Sequence, residues 1–172
     1  MSIKIEILQS RHAEAYRQLR LLSFQEAPFA FSESYEDEVK KGVAIFAQDL
    51  QPLGNPPEQF VLGVFTPENK LIGIATFKRD QRSKARHKGM IYAMYVHPDF
   101  RKQQIGRKLI EQIIERATAM DGMEAVHLWV LHSGTSASGF YKKLGFKSQG
   151  LVKNDLKLGD QYIDAEYMVR YL

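Results

Sequence analysis

Residues 94–107 decide the fold, and they have the sequence MYVHPDFRKQQIGR. The first three residues end a strand pattern, and Pro98 then marks a turn. An amphipathic helix pattern begins at Ile105. A helix N-terminus presents unpaired N–H groups and a partial positive charge, so it suits a phosphate group. The stretch therefore predicts a strand, a loop and a helix that together could hold an anion.

Basic side chains and one glycine surround this helix start. They are Arg101, Lys102, Arg107, Lys108 and Gly106. The cations favour a polyphosphate, and a glycine lets a ligand approach the backbone closely. The residues alone leave two readings open, a pyrophosphate site and a solvated basic helix cap.

Working outward, the chain alternates between strand and helix patterns in the order β-α-α-β-β-β-α-β-α-β-β. The predicted strands are 3–7, 59–65, 70–79, 89–96, 126–131, 146–152 and 162–171, and the predicted helices are 11–25, 32 or 34 to 50, 105–120 and 135–144. This order is typical of a mixed α/β fold, and a length of 172 residues suits one domain over 1–172.

Composition narrows the classes of function. The chain has no cysteine, which excludes disulfides, zinc-thiolate sites and a thiol nucleophile. We expect no metal site. The N-terminus lacks the apolar region of a signal peptide and no apolar run is long enough to span a bilayer, so we expect a cytoplasmic protein without a membrane partner. The net charge of +4 and pI near 9.2 favour an anionic partner, either a polyphosphate cofactor or nucleic acid.

The first segment resembles the acetyl-CoA signature of the GCN5-related N-acetyltransferase (GNAT) superfamily. That signature has the core pattern Gln/Arg-x-x-Gly-x-Gly/Ala after a V-x-P-x-x-R stretch, and Arg101, Ile105 and Gly106 fit it. Gln104 replaces the first glycine, and Lys102 stands where another glycine is common. If position 104 needs a left-handed backbone, glutamine costs about 1–2 kcal/mol there.

A second segment, 137–146 (ASGFYKKLGF), resembles the superfamily's Asn-x-x-Ala-x-x-x-Tyr-x-x-x-Gly-Phe. Ala137, Tyr141, Gly145 and Phe146 match in register, whereas the usual asparagine falls on Gly134. The resemblance implies a central, mostly antiparallel sheet with two splayed parallel strands and flanking helices. It also implies acetyl-CoA as the cofactor.

The resemblance assigns the cofactor to residues of both segments. They are Met94, Tyr95, Val96, Arg101, Lys102, Gln103, Gln104, Ile105, Gly106, Arg107, Ala137 and Tyr141. The cofactor arm is expected to pair with the exposed backbone of the strand that ends at Val96, in the manner of an added strand.

The implied reaction transfers an acetyl group from a thioester to a primary amine. The resemblance makes Tyr141 the general acid for the departing thiolate. The family's usual glutamate is absent from the strand 90–96, so the general base is open among His132, Glu26, Glu33 and Glu36. The near-neutral pKa of a histidine suits His132 for base work.

Several alternatives stay open at this point. The departures at 104 and 134 would also fit a degenerate acyl-CoA-binding protein, and the basic charge would fit a nucleic-acid-binding domain, although no nucleic-acid motif supports it. The acceptor could be a small amine, an antibiotic, an amino acid, a polyamine or a peptide N-terminus. Phe29 and Phe31 are candidates to cap its pocket, and Trp129 is predicted to lie in the core. Family resemblance also allows a homodimer.

Overall fold

The computed structural model describes residues 2–131 and 136–172. Seven strands form one sheet in the order β1-β2-β3-β4-β5-β7-β6. The strands are β1 (Lys4–Ile7), β2 (Gln59–Phe65), β3 (Leu71–Arg79), β4 (Lys88–Val96), β5 (Ala125–Leu131), β6 (Lys147–Leu158) and β7 (Gln161–Tyr171). All neighbours run antiparallel except β4 and β5, which are parallel. The expected mixed α/β, mostly antiparallel sheet is confirmed.

Within the described residues, five α-helices flank the sheet. They are α1 (Ala13–Glu26), α2 (Tyr35–Glu38), α3 (Val43–Asp49), α4 (Ile105–Thr118) and α5 (Ser136–Lys143). The apolar stripe of α4 packs with Tyr141 and Phe146 in the larger core cluster, on one face of the sheet. Tyr16 and Leu19 of α1 and Phe46 of α3 form a second cluster with strand residues. Helices thus cover both faces of the sheet at its centre, which agrees with the burial of β2 and β3 on both faces.

The second predicted helix is wrong as a single element. Residues 39–42 interrupt it, and α3 starts afresh with Gly42 in an extended conformation at its N-cap. Arg17 stabilises the non-helical segment because its guanidinium donates to the carbonyls of Val39 and Lys41, at 3.1 Å each. A glycine costs about 1 kcal/mol in a helix interior, so the break falls where propensity is weakest.

The two parallel strands separate soon after they meet. Among the described residues, β4 pairs with β5 only at Lys88, Gly89 and Met90. Beyond Met90, β4 continues to pair with β3 while β5 continues to pair with β7. The splayed pair inferred from family resemblance is therefore present, and it opens a wedge between the C-terminal halves of β4 and β5.

A bulge turns β4 where the wedge begins. Ile74 pairs with Tyr95 and Thr76 with Tyr92, so two residues of β4 stand opposite one of β3. Ala93 lies within the bulge and has a φ of 50°. A bulge bends its strand and re-aims the side chains that follow, which directs the end of β4 along the wedge.

Two tight turns connect the β2–β3 and β6–β7 hairpins. Asn69 closes the β2–β3 turn with a φ of 63°, and Gly159 closes the β6–β7 turn with a φ of 59°. The last hairpin is longer than expected, since β6 extends to Leu158 across an irregularity between Val152 and Leu156. Over residues 2–131 and 136–172, no helix has the length and apolarity needed to cross a membrane.

Candidate active site

The wedge between β4 and β5 holds the largest cavity at the predicted site, about 700 Å³. The end of β4, the loop before α4, the start of α4, and α5 form its walls. Of the twelve residues assigned to the cofactor by resemblance, this cavity is lined by Met94, Tyr95, Val96, Arg101, Lys102, Gln104, Ile105, Gly106, Arg107, Ala137 and Tyr141. Gln103 lies instead in a neighbouring cavity of about 370 Å³, beside Ile3. We refer to the wedge cavity as the cofactor-side cavity.

Left-handed backbone shapes the loop that enters α4. Lys102 and Gln104 have φ values of 62° and 60°. These are the two positions where glycine is common in the resembling signature, so the chain adopts the same loop without glycine and at some cost in strain. Gln104 is also the N-cap residue of α4, and its side chain makes no capping hydrogen bond.

The basic side chains near this loop differ in their contacts with the rest of the protein. Arg107 forms an ion pair with Glu111 one turn further along α4, at 2.7 Å. Lys143 of α5 also lines the cavity, and sequence reasoning had not assigned it to the site. Lys102, Arg107 and Lys143 therefore line the same cavity as the N-terminus of α4, a combination that suits phosphate groups.

Arg101 lines the same cavity but is largely engaged with the protein. Its guanidinium forms two hydrogen bonds with the Glu26 carboxylate, at 2.8 and 2.5 Å, and donates to the Val96 carbonyl at 3.0 Å. It also lies 5.5 Å from the ring centre of Tyr95. Arg101 thus ties the end of α1 to the end of β4, which makes it a positioning residue for the cofactor loop.

Gly106 is closely packed against side chains of β4 and α5. A β-carbon at this position would lie 2.6 Å from the terminal methyl of Met94 and 3.4 Å from the Phe140 ring. The glycine allows β4, α4 and α5 to approach one another at the base of the cavity.

Tyr141 of α5 also lines the cofactor-side cavity. It is buried and makes edge-to-face contacts with Phe140 and Phe146, with ring centres 5.1 and 5.7 Å away. Burial raises the pKa of its phenol, which keeps the group protonated at neutral pH. A protonated phenol that borders a cavity can donate a proton, as a general acid must.

A second cavity of about 310 Å³ adjoins the first, and we call it the acceptor-side cavity. It is lined by residues from six separate parts of the chain: Arg20, Ala30, Phe31, Ser32, Glu33, Ile91, Tyr92, Ala93, Met94, Leu128, Trp129, Leu131, Tyr141, Asp155 and Leu156. Phe31, Met94, Trp129 and Tyr141 are among the residues that line both cavities. The two spaces therefore meet at Tyr141.

The prediction that Trp129 lies in the core is wrong. Its side chain is 45% exposed, it lines both cavities, and its ring centre is 4.7 Å from that of Tyr167. The apolar run of β5 suggested burial on both faces, but Leu128 and Val130 face the core while Trp129 lies on the opposite, exposed face. Phe31 does border the acceptor-side cavity, as expected for one of the two phenylalanines.

The candidate bases fall in different places. His132 and Gly134 lie outside the described residues. Hydrogen bonding to Arg101 holds the pKa of Glu26 below its usual value, so Glu26 is a poor proton acceptor. Glu33 borders the acceptor-side cavity, whereas Glu36 borders only a third cavity further out.

Asp155 is a carboxylate at the acceptor-side cavity that sequence reasoning missed. It belongs to the part of β6 that the sequence did not predict as strand, so nothing placed it near the wedge. Among the described residues, no three histidine or carboxylate side chains are grouped so that they could hold a metal ion.

Comparison with protein families matches residues 14–146 to the acetyltransferase (GNAT) family. The chain belongs to the GNAT family. An uncharacterised N-acetyltransferase from Methanocaldococcus jannaschii is 41% identical over 68 residues, which are 40% of this chain and 30% of that protein. The chain spans between 30% and 55% of the length of the three curated relatives it matches.

Solved structures share the fold of this GNAT chain over its whole length. A GNAT-family acetyltransferase from Streptococcus pneumoniae has a TM-score of 0.84 at 22% identity, with 99% of both chains covered. A GNAT-superfamily phosphinothricin acetyltransferase from Sinorhizobium meliloti, in complex with AcCoA, has a TM-score of 0.85 at 21% identity, covering 100% of this chain and 89% of that one. At these identities the likeness establishes the fold alone.

Proposed function

We propose that this protein is an N-acetyltransferase that passes the acetyl group of acetyl-CoA directly to a primary amine, with both substrates bound at once. The observation that carries the proposal is the pair of cavities that meet at Tyr141. A direct transfer needs two substrates side by side at one proton donor, and the two cavities provide that arrangement.

The cofactor-side cavity fits acetyl-CoA in its chemistry. The N-terminus of α4 lines this cavity together with Lys102, Arg107 and Lys143, and this combination suits a pyrophosphate. The edge of β4 beyond Met90 is not paired with β5, so its backbone groups are available to a ligand arm that carries amides. When bound, acetyl-CoA would supply an activated acetyl thioester.

The protein's own groups handle the protons. A primary amine with a pKa near 10.4 arrives as an ammonium ion, and its deprotonation near pH 7 costs about 4–5 kcal/mol. Glu33 and Asp155 border the acceptor-side cavity, where they favour an ammonium and accept its proton directly or through water. His132 remains a candidate for the same role, and Tyr141 returns a proton to the departing thiolate.

Two measurements test this function. Calorimetric titration with acetyl-CoA should give saturable binding, and an amine panel should give acetyl-CoA-dependent release of free thiol together with a product heavier by one acetyl group. Lack of acetyl-CoA binding at millimolar concentration would overturn the proposal. Binding without thiol release across the panel would favour the degenerate acyl-CoA-binding alternative, to which the strained Gln104 gives some support.

The base is assigned by comparing pH profiles of His132→Ala, Glu33→Gln and Asp155→Asn. The variant that lacks the base should lose the ionisation on the acidic limb of kcat/KM, while the other two keep it. Three unchanged profiles would mean that the proton leaves to water.

A further inference from the structure

One buried cation in the acceptor-side cavity forms no hydrogen bond through its side chain with the described residues. Arg20 of α1 lines this cavity and is only 6% exposed. Its Nη1 atom is buried without a hydrogen-bond partner. Over residues 2–131 and 136–172, no carboxylate forms an ion pair with the Arg20 guanidinium.

Stacking accounts for the faces of this guanidinium but not for its edges. The guanidinium carbon lies 4.5 Å from the ring centre of Phe24 and 5.3 Å from that of Phe31. Cation–π contacts of this kind use the flat face of the group. Its five N–H donors point outward in the plane, where stacking does not engage them, and among the described residues Nη1 is buried with no hydrogen-bond partner.

Arg79 shows what the same chain does with a structural buried arginine. Its side chain is 8% exposed, and all three guanidine nitrogens donate to protein oxygens. Nε donates to the Arg86 carbonyl at 2.7 Å, Nη1 to the Glu58 carboxylate at 2.8 Å and Nη2 to the Asp121 carbonyl at 2.7 Å. Arg20 is equally buried and lacks these partners. A buried charge without hydrogen-bond partners is unfavourable, so an anion bound in the adjoining cavity would stabilise it.

We propose that Arg20 binds the carboxylate of the acceptor and that the acceptor is a small α-amino acid; this inference rests on the proposed acetyltransferase function. The same cavity carries opposite charge on Glu33 and Asp155, which are exposed and suit the acceptor's ammonium group. A cavity that has a guanidinium and two carboxylates is complementary to a zwitterion, which carries one carboxylate and one ammonium group. A planar guanidinium also suits a carboxylate because it can donate two parallel hydrogen bonds.

The walls of the cavity specify the rest of the acceptor. Ile91, Leu128 and Trp129 are apolar or aromatic, so they favour an apolar amino-acid side chain. The volume of about 310 Å³ lies at the lower end of the range for small-molecule sites. A polyamine would leave Arg20 unpaired, and it is therefore a poor fit.

The first experiment compares each amino acid with analogues that lack its carboxylate. L-leucine is compared with L-leucinamide and isoamylamine, and L-phenylalanine with L-phenylalaninamide and phenethylamine. We expect kcat/KM for the acid to exceed that of both analogues by about 10- to 100-fold, as for the loss of a hydrogen bond between charged groups. The amide has the less basic amine, which is better deprotonated at neutral pH, so the assay is biased against this result. Equal rates for acid and analogues would overturn the proposal.

The second experiment removes the guanidinium. Arg20→Gln should lower kcat/KM for the acid about 10- to 100-fold, leave KM for acetyl-CoA unchanged and abolish the preference for the acid over its amide. Arg20→Lys should restore part of that preference, because it keeps the charge without the planar fork. Arg82→Gln removes the same charge from an exposed site and should change nothing. A preference that survives in Arg20→Gln would contradict the assignment.

Two further readouts keep the inference separate from folding and from the proposed function. The melting temperature of Arg20→Gln should not fall, since the variant removes an unpaired buried charge. In the unmodified protein, 4-methylpentanoate should compete with the acceptor while isoamyl alcohol does not. If acetyl-CoA binds but no amine is acetylated, the proposed function fails. Stabilisation of the protein by 4-methylpentanoate would then still report the anion site, and its absence would remove that site as well.

Discussion

The two cavities that meet at Tyr141 are assembled in different ways. The cofactor-side cavity comes mostly from two continuous stretches, 94–107 and 136–144, and backbone conformation shapes much of it. The acceptor-side cavity draws single side chains from α1, the loop after it, β4, β5, α5 and β6. The shape of the cofactor-side cavity depends on helix ends and turns. The shape of the acceptor-side cavity depends on individual side chains that the fold brings together from distant parts of the chain.

This difference suggests that the two sides respond differently to mutation. On the cofactor side, changes in backbone freedom or glycine packing should alter acetyl-CoA binding and leave acceptor preference intact. On the acceptor side, a single side chain such as Arg20 should alter preference and leave acetyl-CoA binding intact. Tyr141 belongs to both, so it should affect the chemical step itself.

The largest effect is expected for Tyr141→Phe, which removes the phenol and keeps the ring contacts with Phe140 and Phe146. Loss of a general acid lowers turnover by about 10²- to 10⁴-fold. We expect kcat to fall within that range while the acetyl-CoA Kd measured by calorimetry stays within about twofold. Tyr171→Phe, at an exposed tyrosine, is the control. Unchanged turnover in Tyr141→Phe would remove the phenol from the mechanism.

For Gly106→Ala we expect a smaller effect, which weakens acetyl-CoA binding and leaves the acceptor preference unchanged. The new β-carbon would lie 2.6 Å from the Met94 methyl, so Met94 must move at the base of the cavity. We expect the acetyl-CoA Kd to rise about tenfold, equivalent to about 1.4 kcal/mol, with the acid-to-amide preference unchanged.

Gly139→Ala is the matched control for this change. Gly139 is also helical, but a β-carbon there would have no described atom within 4 Å. Its replacement should stabilise the protein by about 0.5–1 kcal/mol through helix propensity, with no effect on Kd. Equal Kd values for both variants would show that the contact of Gly106 with Met94 does not matter for the cofactor.

The same contrast explains what the sequence could predict. Strand alternation, helix periodicity and the 94–107 and 137–146 segments predicted the sheet, the loop before α4 and most residues of the cofactor-side cavity, because those features are local. Trp129 was assigned to the core because an apolar run does not reveal that only one face of β5 is buried. Asp155 and Arg20 were missed since their role depends on contacts between segments more than a hundred residues apart. A lone arginine in an amphipathic helix carries no signal that it is buried and unpaired.

A modest gain in the free energy of unfolding is expected for Gln104→Gly. Gln104 has a φ of 60°, which costs a non-glycine residue about 1–2 kcal/mol, and part of the gain is offset by the greater freedom of glycine in the unfolded chain. Urea unfolding should show a net stabilisation of about 0.5–1 kcal/mol. Gln103→Gly makes the same replacement one residue earlier, where φ is not positive, and should be destabilising. A loss of stability in Gln104→Gly would mean that the glutamine side chain makes up for its strained backbone.

The smallest effect concerns the contact that links α1 to the cofactor loop, the ion pair between Glu26 and Arg101. The pair holds the folded-state pKa of Glu26 below 4.5, mainly through its hydrogen bonds to Arg101. Its contribution is therefore complete above about pH 4.5 and is lost as the pH falls through the depressed folded-state value.

Glu26→Gln should accordingly be less stable than the unmodified protein at pH 7, by at most about 1 kcal/mol because both side chains are partly exposed. The difference should shrink steadily below pH 4.5 in urea unfolding measured across pH. Glu124→Gln, at an exposed carboxylate outside the described ion pairs, should show no such trend. A difference that stayed constant down to pH 3 would mean that Glu26 acts through packing and not through its charge, and that α1 and the cofactor loop are coupled without this ion pair.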